Sequence, residues 1–599
     1  MDYVAPLKDM LFVIRELAGI ASLRAMLPYA DATDDTVEAV LNEAARFNRE
    51  VVAPLNRRGD EQPARWHDGE VTTTPGFRDA FAAFARGGWQ GVQHPPQFGG
   101  QGLPKLVSTA CAEMLNSANL SFALCPLLTD GAIEALLTAG TPEQQQRFIP
   151  PMISGRWTGT MNLTEPQAGS DLSLVRTRAE PQPDGSYRLF GQKIFITYGE
   201  HDLAENIVHL VLARTPGAPD GVKGLSLFIV PKVVADAAGS PGKRNDVWCA
   251  SIEHKLGIKA SPTAVLLYGD GKGEVGRGAI GHLIGQENRG LEYMFIMMNA
   301  ARFAVGMQGV SIAERAYQQA VAHARERVQS RAVEGSSGPV PIIRHPDVRR
   351  MLMQMRACTE AARALGYVAA AAYDTAHGSP DRDAAAAQRA LYEFLVPIVK
   401  GFSTEISIEV ASLGVQVHGG MGYIEETGAA QHYRDARILT IYEGTTAIQA
   451  NDLIGRKTIR DGGRVARAVV ARVRETEREL AAHGGELAAI GAQLAAGADA
   501  LDDAIGFVVE RGNSDPRAVY AGSVPYLMLA GTVLAGWQMG RAALAAARRL
   551  RDGDDPDFAR AKIASARFYA DHVLSRAHGL RCSVVDGAAG VLALEESQF

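Results

Sequence analysis

Residues 440–449 read Thr-Ile-Tyr-Glu-Gly-Thr-Thr-Ala-Ile-Gln, and a lone carboxylate, Glu443, stands there between the apolar pair Ile441-Tyr442 and a run of small residues. A carboxyl group kept among apolar side chains loses hydration, holds its proton to higher pH and becomes a general base near neutrality. The same run also fits a solvated turn whose Thr445 caps the next helix, so a base here must be matched by a ligand site elsewhere. Three segments offer one. The stretch from Leu163 and Thr164 to Ser170 and Asp171, "LTEPQAGSD", breaks regular structure and supplies hydroxyl and backbone N–H donors, as a carbonyl-rich or anionic ligand requires. Phe195 and Thr197 fall on one face of a predicted strand and pair an aromatic surface with a hydroxyl, which suits a flat heterocycle. Gln416, Gly419 and Gly420 close a helix expected to begin near Thr404, and the adjacent glycines admit close backbone approach. Arg434 and Asp435 are expected to pair and steady the chain ahead of Glu443.

Other chemistries lack their signatures. Gly271, Gly273 and Gly276 form a GxGxxG string after a strand-like run, but the following "RGAIGHLIG" is glycine-broken rather than an amphipathic helix, so a hairpin loop is expected instead of a dinucleotide turn. There is no GxxxxGK[ST], HExxH or GxSxG. The five cysteines (Cys111, Cys125, Cys249, Cys358 and Cys582) are scattered and never spaced CxxC, which speaks against a disulfide framework and a bound metal and fits a reducing cytoplasm. A net charge of −6 gives no general attraction to nucleic acid.

The elements that must position these residues follow from periodicity. At 599 residues the chain exceeds a single core, and 47% hydrophobic with 21% charged residues is ordinary globular composition. Apolar residues at helical spacing mark an N-terminal helical domain over 1–155; short runs rich in β-formers, separated by Gly, Pro and Asp, mark a central, β-barrel-like domain over 156–285. Long-helix periodicity returns over 286–457 as a bundle, and 458–599 forms an extra C-terminal helical module ending in an extended tail. The expected class is α+β and multidomain. The start "MDYVAPLKDMLFVIREL" reads as an amphipathic helix rather than a secretion signal. Ala518 to Gly540 carries no charge, but its glycines and Gln538 suit close helix packing, so no stable membrane insertion is expected.

In their order and spacing, "GGWQGVQHPPQFGGQGLP", "LTEPQAGSD", "GQKIFITYG", "EHKLGIKASPTAVLLYGDG", "LIGQENRGLEYMF" and "QVHGGMGYIEETGAAQHYRDARILTIYEGTTAIQ" resemble the successive signatures of the acyl-CoA dehydrogenases, over about 35 to 457. The opening and the module after 457 resemble the longer bacterial subgroup that includes dehydrogenases of 3-methylmercaptopropionyl-CoA. The resemblance implies FAD between the β-domain and the bundle. Met161, Leu163 and Thr164 would meet the flavin pyrimidine edge, Ser170 the pyrophosphate, Phe195 and Thr197 the flavin ring near N5, and Thr445 the cofactor beside the base. Arg327 would reach the pyrophosphate of a neighbouring subunit, with Gln416, Gly419 and Gly420 at the adenosine end, so a homodimer is implied.

Glu443 would remove the α-proton of an acyl-CoA whose thioester carbonyl is held by the Glu443 backbone N–H and a flavin ribityl hydroxyl. A hydride would pass to flavin N5, leaving a trans-2-enoyl-CoA. Tyr442, Gly444 and Arg302 would line the substrate site, and electron-transferring flavoprotein would take the electrons. Acyl groups from 3-methylmercaptopropionyl through short and medium straight chains to bulkier ones stay open.

The chain departs from the family pattern in places. Phe195 stands where Trp is common and Tyr198 where Asn is; Gly455 occupies the place of a frequent Arg, with Arg456 next to it, so Arg456 is not assigned to CoA. Ala301 matches the alternative base position of some members and cannot serve. On the same fold an acyl-CoA oxidase would carry the same base. A nitroalkane oxidase would carry Asp there, and a DNA-associated member would need a basic face such as Arg456, Lys457, Arg460, Arg464 and Arg467.

Overall fold

The computed structural model describes residues 3–234 and 242–599; Met1 and Asp2, quoted above with the first helix, lie outside them. The N-terminal part is helical apart from a hairpin, Arg65–His67 with Glu70–Thr72. Its central helices are Lys105–Ala118 and Leu120–Ala139, separated by Asn119, whose side chain caps the second by accepting from the Phe122 N–H at 3.1 Å. Leu120–Ala139 is the one helix among the described residues long and apolar enough to cross a membrane, yet 83% of its apolar window is buried in the protein. The opening segment is not one continuous α-helix: Leu7–Phe12 passes into a π-helical turn, Val13–Leu17.

The central part is a mixed sheet of eight strands. From edge to edge the path runs Val247–Ile252, Thr263–Tyr268, Tyr187–Thr197, Ala279–Ile284, Ser226–Pro231, Asn206–Ala213, Trp157–Asn162, with Arg178–Pro181 also on Tyr187–Thr197. Among the described strands Trp157–Asn162 and Asn206–Ala213 form the one parallel ladder, beside a single parallel bridge from Arg178 to Arg214. Asn206–Ala213 and Ser226–Pro231 are buried along their whole length, as continuous apolar strands covered on both faces should be. The glycine-rich string at 271–276 lies between Tyr268 and Ala279, and its loop wraps the chain's own Asp246 carboxylate. That group accepts from the N–H of Gly271 (2.9 Å), Lys272 (2.9 Å), Gly273 (3.3 Å) and Gly278 (2.8 Å). The backbone donors that a phosphate would need are occupied.

The bundle consists of Gly290–Glu326, Pro346–Gly378 and Arg382–His418, followed by the shorter Ala429–Ala436 and Thr446–Ile454. The helix expected to begin near Thr404 starts at Arg382, because Pro397 is accommodated inside it with the helix continuing on either side. Beyond it, Arg464–His483, Gly485–Arg511, Ser523–Asp552 and Pro556–His572 form the C-terminal module. Its close packing is visible at Gly531, where an added Cβ would come within 2.4 Å of the Phe402 ring. The tail expected to be extended is largely helical, with Ala577–Val585 and Ala588–Val591.

A buried ion network joins the parts. Arg363 is 1% exposed and bonds Asp9 at 2.6 Å, Glu113 at 2.7 Å and Glu314 at 2.7 Å. Lys562 of the C-terminal module bonds Asp9 at 2.5 Å and Glu360 at 2.9 Å. Asp9 thereby links the opening segment to both the bundle and the module.

Candidate active site

Glu443 sits in a tight turn between the 3-10 turn Arg437–Thr440 and the helix Thr446–Ile454. Its backbone is left-handed, φ 55°, and Gly444 follows at φ 89°. For a residue with a Cβ that conformation costs of order 1 kcal/mol or more, so the surroundings must hold it. They do so by their donors. The Gln449 Nε2 donates to the Glu443 carbonyl at 3.2 Å and to the Gly444 carbonyl at 3.3 Å, and the Lys400 Nζ donates to the Gly444 carbonyl at 2.7 Å. Thr445 caps the following helix by accepting from the Ile448 N–H at 3.3 Å.

Of the apolar pair expected to dry the carboxylate, only Tyr442 turns inward; Ile441 is 47% exposed. The Tyr442 hydroxyl donates to Gln308 Oε1 at 2.5 Å, and Gln308 in turn donates to Asn116 at 3.0 Å. Tyr442 is therefore held by its hydroxyl, which is engaged inside. Desolvation pushes the Glu443 carboxyl up to about 7, against the pull of the Arg302 and Lys400 cations, which favour its ionised form. Arg302 is 5% exposed, and its Nε has no hydrogen-bond partner among the described residues. The guanidinium lies 5.8 Å from the centre of the Phe295 ring, and that of Arg456 lies 5.2 Å from the same ring. Arg456 comes there because the α-helix passes into a π-helical turn at Gly455–Ile459, where the ordinary helical rotation per residue no longer applies. Its charge is met by Asp452 at 3.3 Å and that of Lys457 by Glu393 at 3.0 Å, so these two members of the basic cluster face acids.

The loop after Trp157–Asn162 and the strand Tyr187–Thr197 form a second surface. The Ile194 N–H donates to the Thr164 carbonyl at 2.9 Å, and the Lys193 Nζ donates to the Leu163 carbonyl at 2.9 Å. Met161 and Thr164 are partly buried, Leu163 is buried, and Ser170 is exposed beside Gly169, where an added Cβ would meet nothing within 4 Å. Ile196 faces the core, while Phe195 and Thr197 lie on the opposite side. Phe195 has φ 59° at a register shift and is 60% exposed, a large apolar ring turned away from the fold.

The two surfaces are joined through residues 256–262. The Tyr198 N–H donates to the Pro262 carbonyl at 2.8 Å, and the Ile258 N–H donates to Asp435 at 2.5 Å. Asp435 does not pair with Arg434 as expected. Arg434 bonds Asp60, Glu425 at 2.7 Å and the Leu256 carbonyl at 3.1 Å, so both residues fix the chain ahead of Glu443 by reaching different domains.

Arg327, Gln416, Gly419 and Gly420 stand together elsewhere, all exposed. Arg327 ends Gly290–Glu326 and Gln416 ends Arg382–His418, and the two helix ends are tied by the stacked rings of His323 and His418, 4.3 Å apart.

Sequence reasoning missed Glu165 and Lys193. The Glu165 carboxylate accepts from Gln167 (2.6 Å), the Arg176 N–H (2.7 Å), the Thr177 N–H (3.0 Å) and hydroxyl (2.6 Å), and the fully buried Lys193 (2.9 Å). Burial opposes its ionisation, but Lys193 and these donors outweigh it and hold the carboxyl below its usual range. The pair braces the Leu163 to Ser170 loop. The only signal was an acid in that loop and a lysine in the neighbouring strand.

An apolar pocket lies among the N-terminal helices and Gly290–Glu326, lined in part by Phe47, Phe84, Trp89, Leu127, Phe303 and Met307. Asn116 lines it too and connects it, through Gln308 and Tyr442, to the turn that carries Glu443.

Comparisons with known proteins agree along the chain. The acyl-CoA dehydrogenase N-terminal domain matches residues 34–156, the middle domain 160–270 and the C-terminal domain 288–457, and an acetyl-CoA dehydrogenase C-terminal-like domain matches 468–595. A 3-methylmercaptopropionyl-CoA dehydrogenase of Ruegeria pomeroyi is 52% identical over 593 residues, 99% of each chain. A broad-specificity linear acyl-CoA dehydrogenase of Mycobacterium tuberculosis is 33% identical over the whole of both chains. The crystal structure of an acyl-CoA dehydrogenase complexed with FAD from Bacillus anthracis superposes with a TM-score of 0.75 at 21% identity, covering 97% of this chain and 94% of that one, and shows the fold.

Proposed function

The chain belongs to the acyl-CoA dehydrogenase family, and from that premise we propose that Glu443 takes the α-proton of the acyl-CoA thioester in an FAD-dependent α,β-dehydrogenation. The observation that carries this is the left-handed turn, held by Lys400 and Gln449, which keeps the Glu443 carboxylate within the electrostatic reach of Arg302 and Lys400, while burial pushes it up to about 7. At that value the group is substantially ionised at neutral pH and still basic enough to accept a proton from carbon. The α-proton is only weakly acidic, and its removal needs positive charge near the carbonyl that gains electron density; Arg302 supplies buried positive charge beside Glu443. The Tyr442 ring, anchored through Gln308, excludes water from one side.

The residues present fit FAD. Phe195 exposes a ring to no protein partner that covers it, Leu163 and Thr164 are pinned by main-chain bonds, and Gly169 leaves room beside Ser170 for a bulky anionic group. FAD, when bound, supplies the two-electron acceptor for the β-hydride. Met161, Leu163, Thr164, Ser170, Phe195, Thr197 and Thr445 would hold it from one subunit, and Arg327, Gln416, Gly419 and Gly420 from its neighbour in a homodimer. The exposure of that second group at one end of the bundle supports the division. Electron-transferring flavoprotein as acceptor and a cytoplasmic location are inferred from the family resemblance and from five free cysteines, four of them buried.

The cavity beyond Asn116 would take the acyl chain. Its aromatic and thioether lining suits a polarisable acyl group, and with the relative from Ruegeria pomeroyi this favours 3-methylmercaptopropionyl-CoA. Anaerobic titration with 3-methylmercaptopropionyl-CoA, butyryl-CoA, octanoyl-CoA and palmitoyl-CoA, following loss of the flavin absorption band, tests this. The sulfur-containing and C4 thioesters should bleach the flavin fastest; fastest bleaching by palmitoyl-CoA would refute the substrate reading.

A further inference from the structure

Lys400 is fully buried, and among the described residues its Nζ meets a main-chain carbonyl rather than a carboxylate. An ammonium in that position is costly unless it does something its surroundings require. Its Nζ donates to the Gly444 carbonyl at 2.7 Å, one residue beyond the base. Burial pushes Lys400 down to about 8, while Glu443 and Glu405 favour its charged form and Arg302 opposes it. Glu405, one turn along the same helix, accepts from the Thr446 hydroxyl at 2.6 Å and so grips the other end of the turn. Behind Lys400, Gly401 packs so closely on the C-terminal module that an added Cβ would stand 2.7 Å from Leu527. The helix is thus seated against the extra module at Gly401, and from the neighbouring position Lys400 reaches the catalytic turn.

We infer that Lys400 is a positioning residue for the dehydrogenation: it locks the left-handed Glu443-Gly444 turn from beneath and keeps the base ionised by its charge. This rests on the reading of Glu443 as the base. Gln449 touches both carbonyls of the turn without a charge, so the two contributions separate by substitution. Lys400→Met removes donor and charge, Lys400→Gln keeps a donor and removes the charge, and Gln449→Leu removes a neutral donor only.

The test is the pH profile of kcat for flavin reduction in the FAD-loaded enzyme, with Glu443→Gln in parallel. Lys400→Met should lower kcat tenfold or more and move its acid limb up by about one pH unit, since an opposite charge nearby depresses a carboxyl by about that amount or more. Lys400→Gln should regain part of the rate with the limb still raised. Gln449→Leu should lose rate with the limb unmoved. A Lys400 variant with normal flavin content whose limb stays at the wild-type position overturns the inference, as does a Lys400→Gln profile identical to wild type. Should Lys400→Met not fold, the Gln variant decides alone. An inactive Glu443→Gln beside unaffected Lys400 variants sinks only this inference; an active Glu443→Gln sinks the base assignment and this inference with it.

Discussion

Acidification should silence the enzyme earlier than an ordinary glutamate would allow. The Glu443 carboxyl is raised from 4.5 to about 7 by desolvation, with Arg302 and then Lys400 pulling it back. A shift of that size corresponds to about 3 kcal/mol in favour of the protonated form, at about 1.4 kcal/mol per pKa unit. The base must be ionised to act, so kcat/KM for flavin reduction rises with pH through the pKa of the free enzyme and falls tenfold per unit below it. From pH 8 to pH 6 the ionised fraction drops from about nine tenths to about one tenth, and activity should fall with it. Arg302→Met removes the first of the two opposing cations and should raise the limb by about one unit. Stopped-flow reduction under anaerobic conditions, in buffers of constant ionic strength from pH 5.5 to 9, measures both. An acid limb near 4.5 would describe a solvated carboxylate, and a limb that moves down in Arg302→Met would reverse the electrostatics; either result refutes the reasoning.

Three further outcomes follow from the same contacts. Glu165→Gln leaves the fully buried Lys193 ammonium without its anion, at a cost of about 3 kcal/mol, and should loosen the Leu163 to Ser170 loop; the purified variant should carry clearly less FAD per chain by absorbance, and normal loading would contradict that role. Arg363→Met strips Glu113 and Glu314 of their counter-ion and leaves Asp9 with Lys562 alone, a loss of about 3–5 kcal/mol, and should lower the unfolding temperature in scanning fluorimetry. Glu113 is already pushed above its usual range by burial, so protonation relieves the stranded acids and the deficit should be smaller at pH 5 than at pH 8. Tyr442→Phe leaves Gln308 Oε1 buried without its donor, about 1–3 kcal/mol, and should lower kcat/KM by up to about tenfold with the acid limb held in place.

What could be read from the sequence was local. The order of helical, β and helical parts follows from hydrophobic periodicity, and the turn at Glu443 follows from Gly444 and the capping Thr445. What escaped was contact between distant segments. Glu165 and Lys193 lie 28 residues apart and meet only because the sheet brings strand and loop together. Lys400, 44 residues from Gly444, is one lysine in a long helix, and no local pattern marks it as buried. Arg434 and Asp435 looked like a pair because they are neighbours, yet successive helical residues point apart, and each found a partner more than 170 residues away, Arg434 adding the nearby Glu425. The π-helical turn that carries Arg456 is equally invisible to a reading based on α-helical rotation.

The central claim is that Glu443 is the proton acceptor, and single-turnover reduction of the FAD-loaded Glu443→Gln variant by 3-methylmercaptopropionyl-CoA, against wild type, tests it most directly. Glutamine keeps the size and the turn but cannot take the proton. The account predicts that thioester still binds, seen as a perturbed flavin spectrum, while the rate of bleaching falls by at least a thousandfold; bleaching within tenfold of wild type would contradict it.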